Sequence, residues 1–134
     1  MTETITAEIT PLDRLLVEQY IAEDPSLKVY ETGGPMLVRW PLDKRLAKDV
    51  TASAEVLDRE VLFRFTHRVT SDTITVPVRF SDFEELYDTD TEAGMHAAAA
   101  ELIERMDYIA RYIAGSMQAG DPLRYRSRAV NAAA

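Results

Sequence analysis

The chain has 134 residues, no cysteine and a formal net charge of −8 at pH 7. This length favours a single domain, and the lack of cysteine excludes a disulfide framework, thiol catalysis and thiolate metal sites. The negative charge makes nucleic acid an unlikely partner, because it opposes the phosphate backbone. The first residues lack the basic and apolar segments of a secretory signal, and no apolar run reaches the roughly 18 residues of a membrane span. We therefore expect a soluble cytoplasmic protein, or a virion protein if the source is a phage.

The first predicted element is a helix that begins near Thr10 and ends before Pro25. Thr10 is expected to cap this helix, and Pro11 suits its first turn. Asp13 follows in the first turn, where the helix dipole favours an acid. The inward face is predicted to consist of Leu12, Leu15, Leu16 and Tyr20.

A β-hairpin is predicted next, with its turn at Gly33 and Gly34. Two glycines favour this turn because two-residue hairpin loops need positive φ angles. The resulting register puts Val29 opposite Val38. One face of the hairpin would then consist of Leu27, Val29, Met36, Val38 and Trp40.

A second hairpin is predicted from two alternating apolar runs that flank a turn at residues 71–72. This turn puts Val69 opposite Ile74 and leaves the apolar residues of both strands on one side. Pro77 faces the other side and cannot donate to a strand ladder, so its strand is expected at a sheet edge or at a bulge. Residues 41–58, between the hairpins, allow a short helix followed by a turn and the start of a strand.

A long helix of about 30 residues is predicted from Thr89 to Gly120. Thr89 and Glu92 have the spacing of a capping box, and Gly120 supplies a stop. Apolar residues recur at spacings of three and four, which gives both the wide stripe of a core helix and the narrow seam of a coiled coil. We expect residues 102–113 to cover the sheet and the end beyond Ala114 to meet another chain.

These elements predict an α+β fold: an antiparallel sheet of two β-hairpins, with about four to five strands, packed by an N-terminal helix and a long C-terminal helix. Residues 1–122 would form the single domain, and residues 123–134 a basic C-terminal arm. The same element order is shared by many small α+β proteins, including secretion-chaperone-like and phage assembly proteins. Layout alone does not identify a function.

The residues predicted to bind a protein partner lie on the long helix and on the basic arm. They are Met95, Ala99, Met106, Ile113, Met117, Arg124, Tyr125, Arg126 and Arg128. Methionine suits adaptable contacts, and an acidic body with a basic arm favours head-to-tail contact between copies. The acidic surface that would receive such an arm is predicted at Asp82, Glu84, Glu85 and Asp88.

The two histidines are the remaining candidates for chemistry. His67 is the polar residue in an otherwise apolar strand row, so it could hold a ligand or act as an acid or base, or it could bond to backbone. His96 lies four residues after Glu92, but no third metal ligand is visible. We therefore predict no catalytic residue, metal or cofactor.

The favoured function is a non-enzymatic protein-interaction or assembly subunit of a bacterial or phage accessory or structural type. It would act as a homo-oligomer, or in a larger complex, through the long helix and the terminal arms. One alternative is a small-ligand-binding protein or enzyme with a pocket between sheet and helix around His67. Another is an acidic inhibitor that mimics nucleic acid.

Overall fold

The computed structural model describes residues 10–30 and 33–120, which form a five-stranded antiparallel sheet packed by helices. The strands lie across the sheet in chain order: β1 (Lys28–Tyr30), β2 (Met36–Trp40), β3 (Val50–Val56), β4 (Glu60–His67) and β5 (Thr73–Arg79). The helices are α1 (Arg14–Glu23), α2 (Lys44–Ala47), α3 (Ser81–Glu84) and α4 (Glu92–Gln118). The predicted α+β fold is confirmed, while the predicted domain end at residue 122 and the arm at 123–134 lie outside the described residues.

One face of the sheet carries the core, because every second residue along each central strand is apolar and points the same way. On β4 these residues are Val61, Phe63 and Phe65, and all three are fully buried. Helix α4 packs over β3 and β4, and it also contacts the other three helices. Its buried stripe consists of Ala98, Ala99, Leu102, Met106, Ala110, Ile113, Ala114 and Met117.

The N-terminal helix is capped by Asp13 rather than by Thr10. The Asp13 carboxylate accepts a hydrogen bond from the backbone N–H of Leu15 at 2.8 Å. Val17 and Ile21 point into the core, whereas Leu15 is 63% exposed. The predicted face was therefore wrong at Leu15, since a residue two positions from Val17 lies on the opposite side of a helix with 3.6 residues per turn.

The predicted register of the first hairpin is confirmed, with Val29 opposite Val38. Gly33 has a φ of 77°, which glycine adopts without steric cost. Of the predicted inward residues, Leu27, Val38 and Trp40 are buried, while Val29 and Met36 are half-buried against the core.

The predicted register of the second hairpin was wrong by four residues. Phe65, not Val69, lies opposite Ile74. The connection is longer because His67 organises it, with Nδ1 accepting from the backbone N–H groups of Val69 at 3.2 Å and Thr70 at 3.3 Å. A shift by an even number keeps the strand residues on their faces, but it leaves Val69 in the loop and 79% exposed.

Residues 41–58, for which the sequence allowed a helix, a turn and part of a strand, supply the central strand. Asp43 caps the short helix α2, and Leu46 packs inward. Strand β3 then pairs with β2 on one side and with β4 on the other. Strand β5 lies at the sheet edge, as Pro77 predicted.

Helix α4 is capped by Thr91, not by Thr89. The Thr91 hydroxyl accepts a hydrogen bond from the backbone N–H of Gly94 at 3.0 Å. A glycine at this third position has no side chain to return the bond, so there is no capping box. Thr89 is instead buried and donates its hydroxyl to the carbonyl of Thr10. Gly120, with a φ of 81°, follows the last turn as predicted.

Candidate interaction surface

No element within residues 10–30 and 33–120 covers the face of the sheet opposite the core. Its side chains alternate with the core residues along each strand, and none of them is buried. We call this surface the open face, and it comprises Lys28, Tyr30, Leu37, Arg39, Thr51, Ser53, Glu55, Glu60, Leu62, Arg64, Thr66, Thr73, Thr75, Pro77 and Arg79.

Strand pairing aligns part of the open face into a row that crosses all five strands and is apolar at every position except Glu55 on β3; we call it the apolar row. In order from β1 to β5 the row consists of Tyr30, Leu37, Glu55, Leu62 and Pro77. Directly opposed side chains lie about 5 Å apart at Cβ, so neighbours in the row can touch. All five are half-buried, and the Glu55 carboxylate separates the apolar pair Tyr30 and Leu37 from the apolar pair Leu62 and Pro77.

A basic row lies beside the apolar row. It runs through Lys28, Arg39, Ser53, Arg64 and Thr75. The Lys28 ammonium and the Arg39 guanidinium lie 5.8 and 5.9 Å from the centre of the Tyr30 ring, within the range of a cation–π contact. None of the ion pairs within residues 10–30 and 33–120 includes Lys28, Arg39 or Arg64. These side chains can therefore engage an external anionic group.

The open face has the opposite sign of charge from the rest of the chain. It holds four basic side chains and two acidic ones, which gives it a formal charge of +2. Since the whole chain carries −8, the remainder carries −10. A surface of this sign favours contact with acidic groups over basic ones.

The predicted acidic surface lies on α3 and on the loop that leads to α4. Asp82, Glu85 and Asp88 are exposed there. Leu86 follows Glu85 and is 63% exposed. We call these four residues the acidic patch. The acidic patch combines an exposed leucine with carboxylates, and the open face combines the apolar row with the basic row. The two surfaces are therefore complementary in charge.

Glu84 does not belong to this patch, although the sequence suggested it. Its carboxylate accepts a hydrogen bond from the backbone N–H of Leu12 at 2.7 Å and pairs with the Arg59 guanidinium. Arg59 also donates to the carbonyl of Leu12 at 3.1 Å. Glu84 thus joins α3 to the start of the N-terminal helix.

The α4 residues predicted to bind a partner lie largely in the core of this chain. Ala99, Met106, Ile113 and Met117 are buried, and Met95 is half-buried. A second chain cannot reach the four buried side chains unless α4 leaves the sheet. The other predicted contacts, Arg124, Tyr125, Arg126 and Arg128, lie outside the described residues.

Both histidines have partners within the fold. His67 bonds to the loop after β4, and it lines neither of the two described clefts. His96 shares a 2.7 Å hydrogen bond with the hydroxyl of Tyr20, which joins α4 to α1. Within the described residues, no group of three or more histidine, aspartate or glutamate side chains is arranged to hold a metal ion.

Comparisons of this chain with protein-family models, with curated proteins and with solved structures found no significant match. No helix within residues 10–30 and 33–120 is both long and apolar enough to cross a membrane.

Proposed function

We propose that this chain is a non-enzymatic assembly protein whose copies bind head to tail, with the open face of one copy on the acidic patch of the next. The observation that carries this proposal is the separation of charge between the two surfaces. The open face is +2 on a chain of −8, and it combines the basic row with a row that is apolar except at Glu55. A second copy supplies carboxylates around the exposed Leu86, which match both features.

A protein fits the open face better than a nucleic acid does. Surfaces that bind single-stranded nucleic acid combine a strongly basic groove with several aromatic side chains on which bases stack. The open face has one aromatic residue, Tyr30, and its row continues with Leu37, Glu55, Leu62 and Pro77. The net charge of −8 further opposes a polyanion.

A contact between two different surfaces leaves one free surface of each kind on every growing assembly. Such heterologous contacts form rings where the rotation closes and filaments where it does not. Because the charged groups are exposed, salt should weaken the contact.

Light scattering after size exclusion, over a range of protein concentrations, tests the proposal. The mass should exceed the monomer value of 15.1 kDa, rise with concentration, and fall between about 0.05 M and about 0.5 M NaCl. Arg64→Glu replaces one of the three cations of the basic row by a carboxylate, so it should weaken association by about tenfold or more.

Arg111→Glu is the matched control, because Arg111 is exposed on α4 and the substitution changes the net charge equally. It should leave the mass unchanged. A mass of 15.1 kDa under every condition, or equal losses in both variants, would contradict the proposal. So would tight binding of a labelled oligothymidine by the monomer, since the open face would then be a nucleic-acid surface.

A further inference from the structure

We propose that a cleft at one end of the open face binds a small organic anion, in which an aryl or short acyl group carries a carboxylate or a phosphate. The cleft has a volume of about 300 Å³ and lies where the chain leaves β2 for α2. This volume is at the small end of the range for ligand sites. It suits one aromatic ring or a short chain rather than a nucleotide.

The wall of the cleft is apolar and rigid. Trp40, Pro41, Leu42 and Ala47 contribute to it. The Trp40 indole N–H donates to the Asp107 carboxylate on α4 at 2.8 Å, and Trp40 is almost fully buried. The ring is therefore fixed on the core side of the wall, and Pro41, Leu42 and Ala47 supply the apolar surface that a ligand can reach.

The rim of the cleft is cationic. Lys28, Arg39 and Arg68 line it, and none of the acidic residues that the structure describes does. None of the ion pairs among the described residues includes any of the three. The backbone N–H of Arg68 donates to the carbonyl of Asp49 at 2.7 Å, which fixes the chain there beside β3.

An apolar wall with three cations at its rim selects for two features of a ligand at once. Guanidinium groups form paired hydrogen bonds to carboxylates and phosphates, while the wall gains from covering an apolar group. An anion without an apolar group would leave the wall uncovered, and an apolar group without an anion would leave the cations without a partner in the ligand. The site therefore predicts that phenyl phosphate and benzoate bind more tightly than inorganic phosphate or benzyl alcohol.

Calorimetry measures occupancy of the cleft directly, and the fluorescence of Trp40, the single tryptophan of the chain, gives a second signal because this residue packs beneath the wall. Titration with phenyl phosphate or benzoate should give a saturable change below about 1 mM ligand. Inorganic phosphate and benzyl alcohol should bind about tenfold more weakly or worse, since each lacks one half of the recognition. Comparison of phenyl phosphate with benzoate shows which anionic group the rim prefers.

Arg68→Gln removes a charged donor from the rim and should weaken phenyl phosphate binding by about tenfold or more. Arg111→Gln is the matched control, because Arg111 is exposed on α4 and belongs neither to the open face nor to the lining of the cleft. It should leave phenyl phosphate affinity unchanged. The assembly test depends on Arg64, and the anion-binding test depends on Arg68. Either proposal can therefore fail while the other holds.

Three results would overturn the anion site. One is the lack of a saturable signal, by fluorescence and by calorimetry, up to about 10 mM phenyl phosphate. Another is binding of inorganic phosphate as tight as that of phenyl phosphate, because the apolar wall would then contribute nothing. The third is an unchanged affinity in folded Arg68→Gln protein.

Discussion

Replacing Gly94 by alanine should destabilise the protein, although alanine usually favours a helix over glycine. An added Cβ would lie 1.7 Å from the carbonyl oxygen of Asp88 and 2.9 Å from the Thr91 hydroxyl oxygen. Both atoms are held in place. The Asp88 carbonyl accepts from the backbone N–H of Thr91 at 3.3 Å and from its hydroxyl at 3.0 Å. The loop therefore cannot retreat without giving up the helix cap.

The expected magnitude follows from three opposing effects. Forcing a methyl group into occupied space costs about 1–3 kcal/mol, and loss of the Thr91 cap costs about 0.5–2 kcal/mol. The higher helix propensity of alanine offsets about 1 kcal/mol of these costs. The net loss is roughly 0.5–4 kcal/mol, and a loss of about 2 kcal/mol lowers Tm by about 7 °C for a chain of this length.

Gly115→Ala is the matched control in the same helix. A Cβ there meets no atom within 4 Å, so the substitution should stabilise the protein by about 0.4–1 kcal/mol. Urea unfolding followed by circular dichroism measures both variants. If Gly94→Ala is as stable as the wild type, the Asp88 carbonyl does not approach the helix in this way. The loop that carries Asp88 of the acidic patch would then be placed differently.

Two further predictions address the alternatives that the sequence left open. Met106→Ala should lower the free energy of unfolding by about 2–5 kcal/mol. The loss should be the same at every protein concentration, because Met106 is fully buried within this chain, whereas a loss confined to concentrated protein would place it in a subunit seam. His67→Ala removes the acceptor of two loop hydrogen bonds and should cost about 1 kcal/mol. It should leave phenyl phosphate affinity unchanged, and a loss of that affinity would instead support a ligand site at His67.

The hairpins could be predicted where local sequence alone sets the strand pairing. Gly33 fixes the first turn, and the register around Val29 follows from it. The second register could not be predicted, because the longer loop depends on bonds from the backbone to the His67 ring. Strand β3 was hidden because Ala52 and Ala54 occupy two of its buried positions, so its alternation between apolar and polar residues is weak.

The open face was missed for a related reason. Lys28, Arg39 and Arg64 each stand next to a core residue in sequence, so their outward direction could have been predicted. Their alignment could not, because it depends on β3, which joins the two hairpins into one sheet. The apolar stripe on α4 is compatible with a helix that packs on the core of its own chain and with a helix that contacts another chain. Only the extent of the sheet beneath the helix distinguishes these two arrangements.

A mixture of two half-blocked variants tests the central claim most directly. Arg64→Glu blocks the open face and leaves the acidic patch intact, while the double variant Asp82→Ala with Glu85→Ala does the reverse. Each variant alone should have the monomer mass of 15.1 kDa, and an equimolar mixture should have twice the mass of one chain and grow no further. A mixture that stays monomeric, or single variants that assemble like the wild type, would contradict head-to-tail assembly through these two surfaces.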